Sequence, residues 1–523
     1  MATNLHIATR KLVSSNPATG EVLRELDCAT DAEVQVAVGR ARTAQPAWAA
    51  LGVRKRVAIL REFQRVLQEK KSEAARLITR EAGKPYAEAL LMEVLVVLDA
   101  ARFLIENAAS FLRDEPVPHG SVAMKAKTGR LLREPHGVIG IVSPWNYPFS
   151  IPAVEALAAL VAGNAVVLKP SEFTSLVARG LEAFLHTAGV PEAVFQVVVG
   201  DGATGAALLN SEIDKLVFTG SVATGKRIAQ AAAARLLPVV LELGGKDPML
   251  VLEDADLDVA SSAAAWGAFA NAGQTCLSVE RCYVHRSLYG KFLESCVEKT
   301  RRLRVGDGLD PQTEVGPMVH ERQLRIVEAQ VEEAKLDGAR VLAGGTRLPE
   351  LGKNFYAPTV LADGTQAMRV MQEETFGPVL PVAPFDTDEQ AIRLANDSVF
   401  GLAASVWTRD PERGEEMARR IVAGTVMVND TISCFGISEA PHGGVKASGI
   451  GRVHGRPGLD EMVRVKYLDV DRLPGMKKVW WYGYGEAFAQ QMEGFVDLQF
   501  ARRLSTRLRG ALRSAGLVAR RKL

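Results

Sequence analysis

Cysteine is scarce in this chain, and the few that occur are badly placed for pairing or for metal. The five, at 28, 276, 282, 296 and 434, are odd in number, form no Cys-x-x-Cys and lack metal-ligand spacing. That excludes a disulfide framework and a structural zinc, so no metal is expected, and it fits a reducing compartment. Long apolar runs are missing too. The longest, Phe149 to Leu168, is broken by Pro152, Glu155 and Gly163-Asn164. It reads as a buried helix, a turn and a strand rather than a membrane span. The start, MATNLHIATRKLVSSNPATGEVL, has no apolar core of a secretory signal. It shares an acid-poor opening with transit peptides, yet NPATGEVL already reads as a turn entering a strand. No repeat of fixed period is present.

An excess of either charge is also lacking, since 63 Lys/Arg meet 61 Asp/Glu for a net +2. Residues 501–523 hold eight bases and no acid, which leaves 55 bases against 61 acids in the rest, a net of −6. A mildly acidic body is not built for nucleic acid. With 47% hydrophobic and 24% charged residues, the composition is that of a globular protein. At about 150 residues per domain the length suggests two to four domains and a large core. A cytoplasmic location is expected.

What is present is a change of texture. From 31 to 115, apolar residues recur three and four apart, as in VRKRVAILREFQRVLQEKKSEAARLITREAG, with Gly83 and Pro85 as stops. This predicts helices. From 130, short β-branched runs end in Gly, Pro, Ser or Asp: GVIGIVSP, NAVVLKPSE, VFQVVVGDG, KLVFTGS and PVVLELGG. Helical stretches between them predict a parallel sheet covered on both faces, with ligands at the carboxyl ends of its strands. From about 250 a second alternation follows, through DPMLVLEDAD, ERCYVHRS, NFYAPTVLAD, GPVLPVAPFD, FGLAASVWT and GTVMVND, and predicts a second α/β domain. VRVKYLDV (463–470) reads as a lone edge strand able to pair with GRLLREP (129–135).

Several strand ends carry candidate chemistry. In SPWNYP (143–148), Asn146 is an amide in a proline-fixed loop, either an oxyanion donor or a capped turn. LKPSE (168–172) offers Lys169 and Glu172. An acid after a second strand can hold ribose hydroxyls and repel a 2′-phosphate, or simply be a solvated loop residue. FTGSVATGKRIA (218–229) is a glycine-bounded turn entering a helix. It could hold a phosphate, but it is neither Gly-x-Gly-x-x-Gly nor a P-loop. LELGGK (241–246) puts Glu242 among apolar neighbours, as a general base or a strand cap. In NAGQTCLSVE (271–280), Cys276 is either a small buried residue or a nucleophile. A thiolate needs a lowered pKa, and neither His285 nor His320, the nearest histidines in sequence, sits in a recognisable cysteine-protease motif.

PWN, KPSE, FTGS, ELGGK and GQTC occur in that order, followed by EETFGPV (373–379) and PHGGVKASGIGR (441–452). From 16 to about 470 the chain resembles the NAD(P)-dependent aldehyde dehydrogenase superfamily. The resemblance implies an α/β fold with a Rossmann-type cofactor domain (1–117 and 137–243) and an α/β catalytic domain (244–454). A small oligomerisation sheet (118–136 and 455–472) would accompany them, giving a homodimer or homotetramer. It implies that Cys276 attacks the aldehyde, that Asn146 and the Cys276 N–H hold the oxyanion, and that Glu242 activates water against a thioester. Lys169 and Glu172 would contact the adenosine ribose, Ser221 the pyrophosphate, and Glu374 the nicotinamide ribose, with Phe376 packing nearby. Ser143, Trp145, Ser171, Gly202, Phe218, Gly220 and Leu243 complete the implied cofactor contacts, and Lys169 is also placed in the catalytic set. Glu172 favours NAD, with NADP the alternative. Glu242 favours water over CoA as the acyl acceptor. A CoA-acylating enzyme and a non-catalytic member of the fold are the rival readings. Tyr147, Trp266 and Leu277 are expected in the substrate tunnel, and Cys282 as a buried bystander.

Two features depart from that pattern. His442 stands where phenylalanine is usual, and reads as a surface-loop residue. Beyond 470 runs an extension (473–523). Its part WWYGYGEAFAQQMEGFVDLQF has seven aromatics, and Phe500, Leu504, Leu508 and Leu512 recur every four residues among arginines. This predicts a basic amphipathic helix, suited to peripheral contact with the cytoplasmic face of a membrane or to packing on protein.

Overall fold

The computed structural model describes residues 10–121 and 124–519. The reading of the first nine residues and of the basic cluster 520–522 lies outside them. The chain divides into two compact units. One is Glu134–Arg464 with the chain up to Arg113; the other is Asp114–Arg133 with the chain from Val465.

The first unit opens with a hairpin, Lys11–Ser15 and Val22–Asp27. The Asn16 side chain caps its turn by accepting from the Ala18 N–H. The predicted helices follow as Asp31–Ala50, Val53–Glu69 and Lys71–Ala82. Thr30 and Glu33 close a capping box on the first of them. Val57, Leu60, Phe63 and Val66 face the core at helical spacing. The last helix of this layer, Leu95–Phe111, is preceded by a π-helical turn, Ala89–Val94, which the apolar spacing did not predict.

Two sheets carry the rest of the unit. The first has six strands, ordered Gly449–Ile450, Val239–Glu242, Lys215–Thr219, Val138–Val142, Ala165–Lys169, Phe195–Val197. All pair in parallel except Gly449–Ile450. The chain runs from Val138–Val142 outward on one side and then crosses to Lys215–Thr219 on the other. That reversal opens a crevice at the carboxyl ends of these two strands. The stretch 149–168 is a buried helix, Ser150–Ala162, then Gly163 at φ +101°, then Ala165–Lys169, as expected. The second sheet has seven strands, ordered Arg340–Ala343, Thr359–Ala362, Val379–Phe385, Val279–His285, Asp247–Val251, Ala403–Trp407, Thr425–Val428. Each sheet has its own apolar core. A small third cluster, including Ala270, Leu277, Leu402 and Ile432, packs against Cys276.

The second unit holds a three-stranded sheet, with Val463–Asp471 beside Lys127–Pro135 and Glu115–Val117 beyond it. The expected edge-strand pairing is therefore present. Residues 455–460, grouped with these strands in the sequence reading, form a short helix whose Leu459 belongs to the first core. The extension forms a helical hairpin, Glu486–Phe500 and Leu504–Ser514, followed by Gly516–Ala519. The expected amphipathic helix is thus broken at Ala501–Arg503, where Ala501 and Arg503 are extended. The helices approach closely because Gly494 faces Gly510; a Cβ on Gly510 would lie 2.5 Å from the Gly494 oxygen. Val496, Phe500, Leu504, Leu508 and Leu512 are each more than half exposed. Among the described residues no helix is long and apolar enough to cross a membrane.

Candidate active site

Cys276 follows a 3-10 turn, Ala270–Gly273, in which Asn271 and Ala272 adopt left-handed backbone at φ +53° and +54°. This strained turn is over-determined by buried bonds. Gln274 Oε1 accepts from the Val319 N–H, Glu88 accepts from the Asn271 N–H, and the Thr275 and Tyr147 hydroxyls lie 2.8 Å apart. The ELGGK turn packs on the cysteine from the other side. A Cβ on Gly245 would fall 2.5 Å from the Cys276 oxygen, and one on Gly244 would strike the Glu374 carboxylate. Cys276 is partly exposed to the cavity before it. Its thiol is pushed well above its ordinary pKa, first by burial, then by Asp247, Glu374 and Glu242.

The Asn146 loop leaves the carboxyl end of Val138–Val142 and is pinned from below. Lys84 and Glu93 form a fully buried ion pair at 2.6 Å. Lys84 donates to the Asn146 oxygen at 2.9 Å and lies 3.8 Å from the centre of the Tyr147 ring. Glu93 accepts from the Phe149 and Ser150 N–H groups, at the start of the buried helix. The Asn146 amide donates to the Gln274 oxygen at 3.0 Å, which ties its loop to the cysteine turn.

Glu242 ends its strand, is 5% exposed, and finds no protein hydrogen-bond partner for either oxygen. Its carboxyl is pushed well above the ordinary range by burial and then by Glu155, while Arg452 pulls the other way. Glu374 accepts from the Gly245 N–H at 3.2 Å. Its loop hangs on Glu280, which accepts from the Thr375 and Phe376 N–H groups and pairs with buried Lys246 at 2.6 Å. The Phe376 ring stands edge-on to Trp145, centroids 5.3 Å apart.

Two cavities meet at Cys276. One, of about 300 Å³, is walled by Trp145, Asn146, Gly220, Ser221, Glu242, Leu243, Glu374 and Phe376. The other, of about 410 Å³, is walled by Leu91, Met92, Leu95, Tyr147, Trp266, Leu277 and Phe435, and Asp99 is its one charged side chain. They share Ile151, Cys276 and Phe435. Asn146, Glu242 and Cys276 thus line one space, and Tyr147, Trp266 and Leu277 line the other.

The remaining predicted positions lie along the carboxyl edge of the first sheet. Ser143 donates its N–H to the Lys169 oxygen. Lys169 Nζ is 3.8 Å from a Glu172 oxygen, beside Ser171. Ser221 caps the helix Val222–Ala233 and Gly202 begins Gly202–Asn210. The Phe218 side chain belongs to the core, and its ring packs under Gly220. This donor set suits a dinucleotide: a carboxylate and an ammonium for ribose, and a capped helix N-terminus with glycine for pyrophosphate. Cys282 is fully buried on its strand.

His442 corrects the reading of a surface loop. It is 4% exposed, and its Nε2 is 3.9 Å from a Glu242 oxygen. Its backbone pairs with Val453 in both directions, which folds the loop inward. Lys84, Glu93, Gln274 and Glu280 were also not found from sequence. Gln274 lies in GQTC, Glu280 closes the stretch that contains the cysteine, and Lys246 closes ELGGK, so all three stood within the quoted motifs.

The sequence profile of the Aldehyde dehydrogenase family matches residues 6–468. A 4,4'-diapolycopene aldehyde oxidase of Methylomonas sp is 40% identical over 491 residues, 93% of this chain and 91% of that protein. A betaine aldehyde dehydrogenase of Cereibacter sphaeroides is 40% identical over 461 residues, 88% of this chain and 93% of that protein. Among solved structures, an NAD+ complex of an aldehyde dehydrogenase from Bacillus cereus superposes with a TM-score of 0.85 at 36% identity, covering 88% of this chain and 93% of that one. The chain belongs to the aldehyde dehydrogenase family and is an oxidoreductase acting on aldehydes with a nicotinamide dinucleotide.

Proposed function

We propose that this enzyme oxidises long, apolar aldehydes to carboxylic acids with NAD, using Cys276 as nucleophile. The observation that carries the reading is the meeting of two unlike cavities at one thiol. The Cys276 thiol gives its proton to water in the cavity, its sulfur adds to the carbonyl carbon, and the Asn146 amide and the Cys276 N–H hold the resulting oxyanion. NAD, when bound, would supply the hydride acceptor and a positive ring in a cavity whose acidic walls are Glu155, Glu242 and Glu374. The acyl group is left on sulfur as a thioester. Glu242 takes a proton from water, the hydroxide adds to the acyl carbon, and the C–S bond breaks. Lys169 and Glu172 hold the adenosine ribose, and Glu172 disfavours the 2′-phosphate of NADP. Glu242 also speaks against CoA as acceptor and against a non-catalytic role.

The tunnel argues for the substrate class. Asp99 is its one charged wall residue, so a substrate with a second carboxylate would meet no cation there. Aliphatic side chains dominate the remainder, and one relative is named for a polyene aldehyde. That relative's match, at 93% of the chain, runs past residue 468 where the family profile ends. We extend the reading to a homodimer or homotetramer. The strand Val463–Asp471 is an unpaired edge with Val465, Tyr467 and Leu468 exposed, and such edges are stabilised by pairing. The helical hairpin at the C-terminus is read as a peripheral contact with an anionic, cytoplasmic membrane face.

NADH formation with decanal, a polyene aldehyde, betaine aldehyde and succinate semialdehyde tests this. The apolar pair should give the highest kcat/KM. Preference for betaine aldehyde would assign the aromatic walls and Asp99 to a cation instead. Preference for the semialdehyde would overturn the substrate reading.

A further inference from the structure

A carboxyl held protonated cannot take a proton from water, and everything immediate to Glu242 except Arg452 favours protonation. Arg452 Nη1 is engaged elsewhere, donating to the Gly444 and Gly451 oxygens. His442 Nε2 approaches Glu242 to 3.9 Å. Its approach is built in, because the next residue is Gly443, where a Cβ would lie 2.8 Å from Glu242 Oε1. His442 Nδ1, both nitrogens of His454, both Glu242 oxygens and one Glu155 oxygen are buried without a protein partner. All four residues wall the cavity that contains Cys276. Buried polar atoms are almost always hydrogen-bonded, so six atoms without a protein partner around a single cavity mark a place where water or substrate completes the bonding.

We propose that His442 is a positioning residue for deacylation: its neutral imidazole donates from Nε2 to Glu242, directly or through one water, and so keeps that carboxyl ionised and aimed at the thioester. A hydrogen bond to the charged form favours that form. At 3.9 Å a bridging water or a small ring movement completes it. Burial keeps the ring neutral, pushing His442 down to about 4 and His454 to about 3. The ring therefore donates without adding a competing charge. The groups facing this pair are Glu155, Arg452, His454 and Cys276, and of these only Arg452 is a resident cation. His442 touches no substrate atom. No proton leaves it; the proton taken from water goes to Glu242, and the electron pair of the C–S bond returns to sulfur.

This inference rests on Glu242 as the base, so the experiment reads acylation and deacylation apart. His442→Phe keeps a ring of similar size against Phe435 and removes the donor; His442→Gln keeps a donor. Acyl-enzyme is measured by intact mass after acid quench, alongside the NADH burst and the kcat–pH profile. His442→Phe should leave the burst intact, accumulate acyl-enzyme, lower kcat roughly 10-fold at pH 7, and move the acidic limb up by about one unit or more. His442→Gln should recover most of both. An unmoved limb in His442→Phe, or equal impairment by Phe and Gln, would overturn the proposal in favour of packing alone. Glu242→Gln should stall as acyl-enzyme after one burst. If it turns over normally, the base assignment itself has failed, and the role of His442 falls with it.

Discussion

Replacing two leucines of the C-terminal hairpin by glutamine should weaken its proposed binding to anionic membranes. Phe500, Leu504, Leu508 and Leu512 are 76%, 70%, 59% and 79% exposed, and Val496 is 53% exposed. Those fractions amount to roughly three and a half whole apolar side chains, or about 5–10 kcal/mol if all were transferred out of water. Arg502, Arg503, Arg507, Arg509 and Arg513 each add at most about 1 kcal/mol beside a phosphatidylserine surface. Because both helices are already paired through Gly494 and Gly510, docking need not pay to fold them. Leu508→Gln with Leu512→Gln removes about 1.4 side-chain equivalents, or about 2–4 kcal/mol. Partitioning should weaken roughly 30- to 900-fold. The assay is co-sedimentation with phosphatidylcholine vesicles with and without phosphatidylserine, at low and high salt. Binding should need the anionic lipid and fall with salt. A double variant that sediments like the parent would refute the reasoning. So would loss of oligomeric state in size-exclusion chromatography without any lipid binding by the parent, which would assign the leucine ridge to a second copy.

Other outcomes follow from the interior. Cys276→Ala should abolish NADH formation while leaving NAD binding, followed by quenching of tryptophan fluorescence, largely intact. Glu172→Ser should raise kcat/KM for NADP roughly 10-fold by removing the charge that opposes a 2′-phosphate; an unchanged ratio would dismiss Glu172 as the discriminator. Glu155 is pushed up to about 8 by burial. A raised acid stabilises the fold fully below its unfolded value near 4.5 and loses that contribution as pH rises through 8. Urea unfolding should therefore show a decline across this window, which Glu155→Gln flattens, worth at most about 5 kcal/mol. Glu93→Gln strands the buried Lys84 ammonium, and the melting temperature should fall with a loss of about 3–5 kcal/mol. Full stability in that variant would show that the ion pair does not hold the Asn146 loop.

The sheets were legible because their strands are apolar on both faces. Ile139, Val166, Val217 and Val240 are completely buried, and short β-branched runs bounded by turn residues suit a covered sheet. Asn146, Glu242 and Cys276 were legible by the order of their motifs. What escaped had no pattern to show. Lys84 and Glu93 lie nine residues apart across a helix break and look like two solvated charges, until tertiary packing buries both. His442 is one letter in a glycine-rich loop, and the backbone pairing with Val453 that turns it inward depends on a residue eleven positions away. The break at Ala501–Arg503 was hidden because spacing by four continued across it. The helix Gly455–Asp460 escaped because a six-residue segment with two glycines and a proline carries little helical periodicity.

The π-helical turn at Ala89–Val94 gives one segment two allegiances. Its wider turn lets Leu91 and Met92 line the larger cavity while Glu93 reaches the Asn146 loop. Such turns arise where one residue is inserted into an α-helix. Removing that residue would restore regular pitch and abolish the bulge through which the segment serves both sides. The lining of this cavity and the set of the Asn146 loop are therefore tied to a single segment. Lineages that differ in this lining would be expected to differ here by a gap in alignment, where exchanging individual side chains would leave the two roles in conflict.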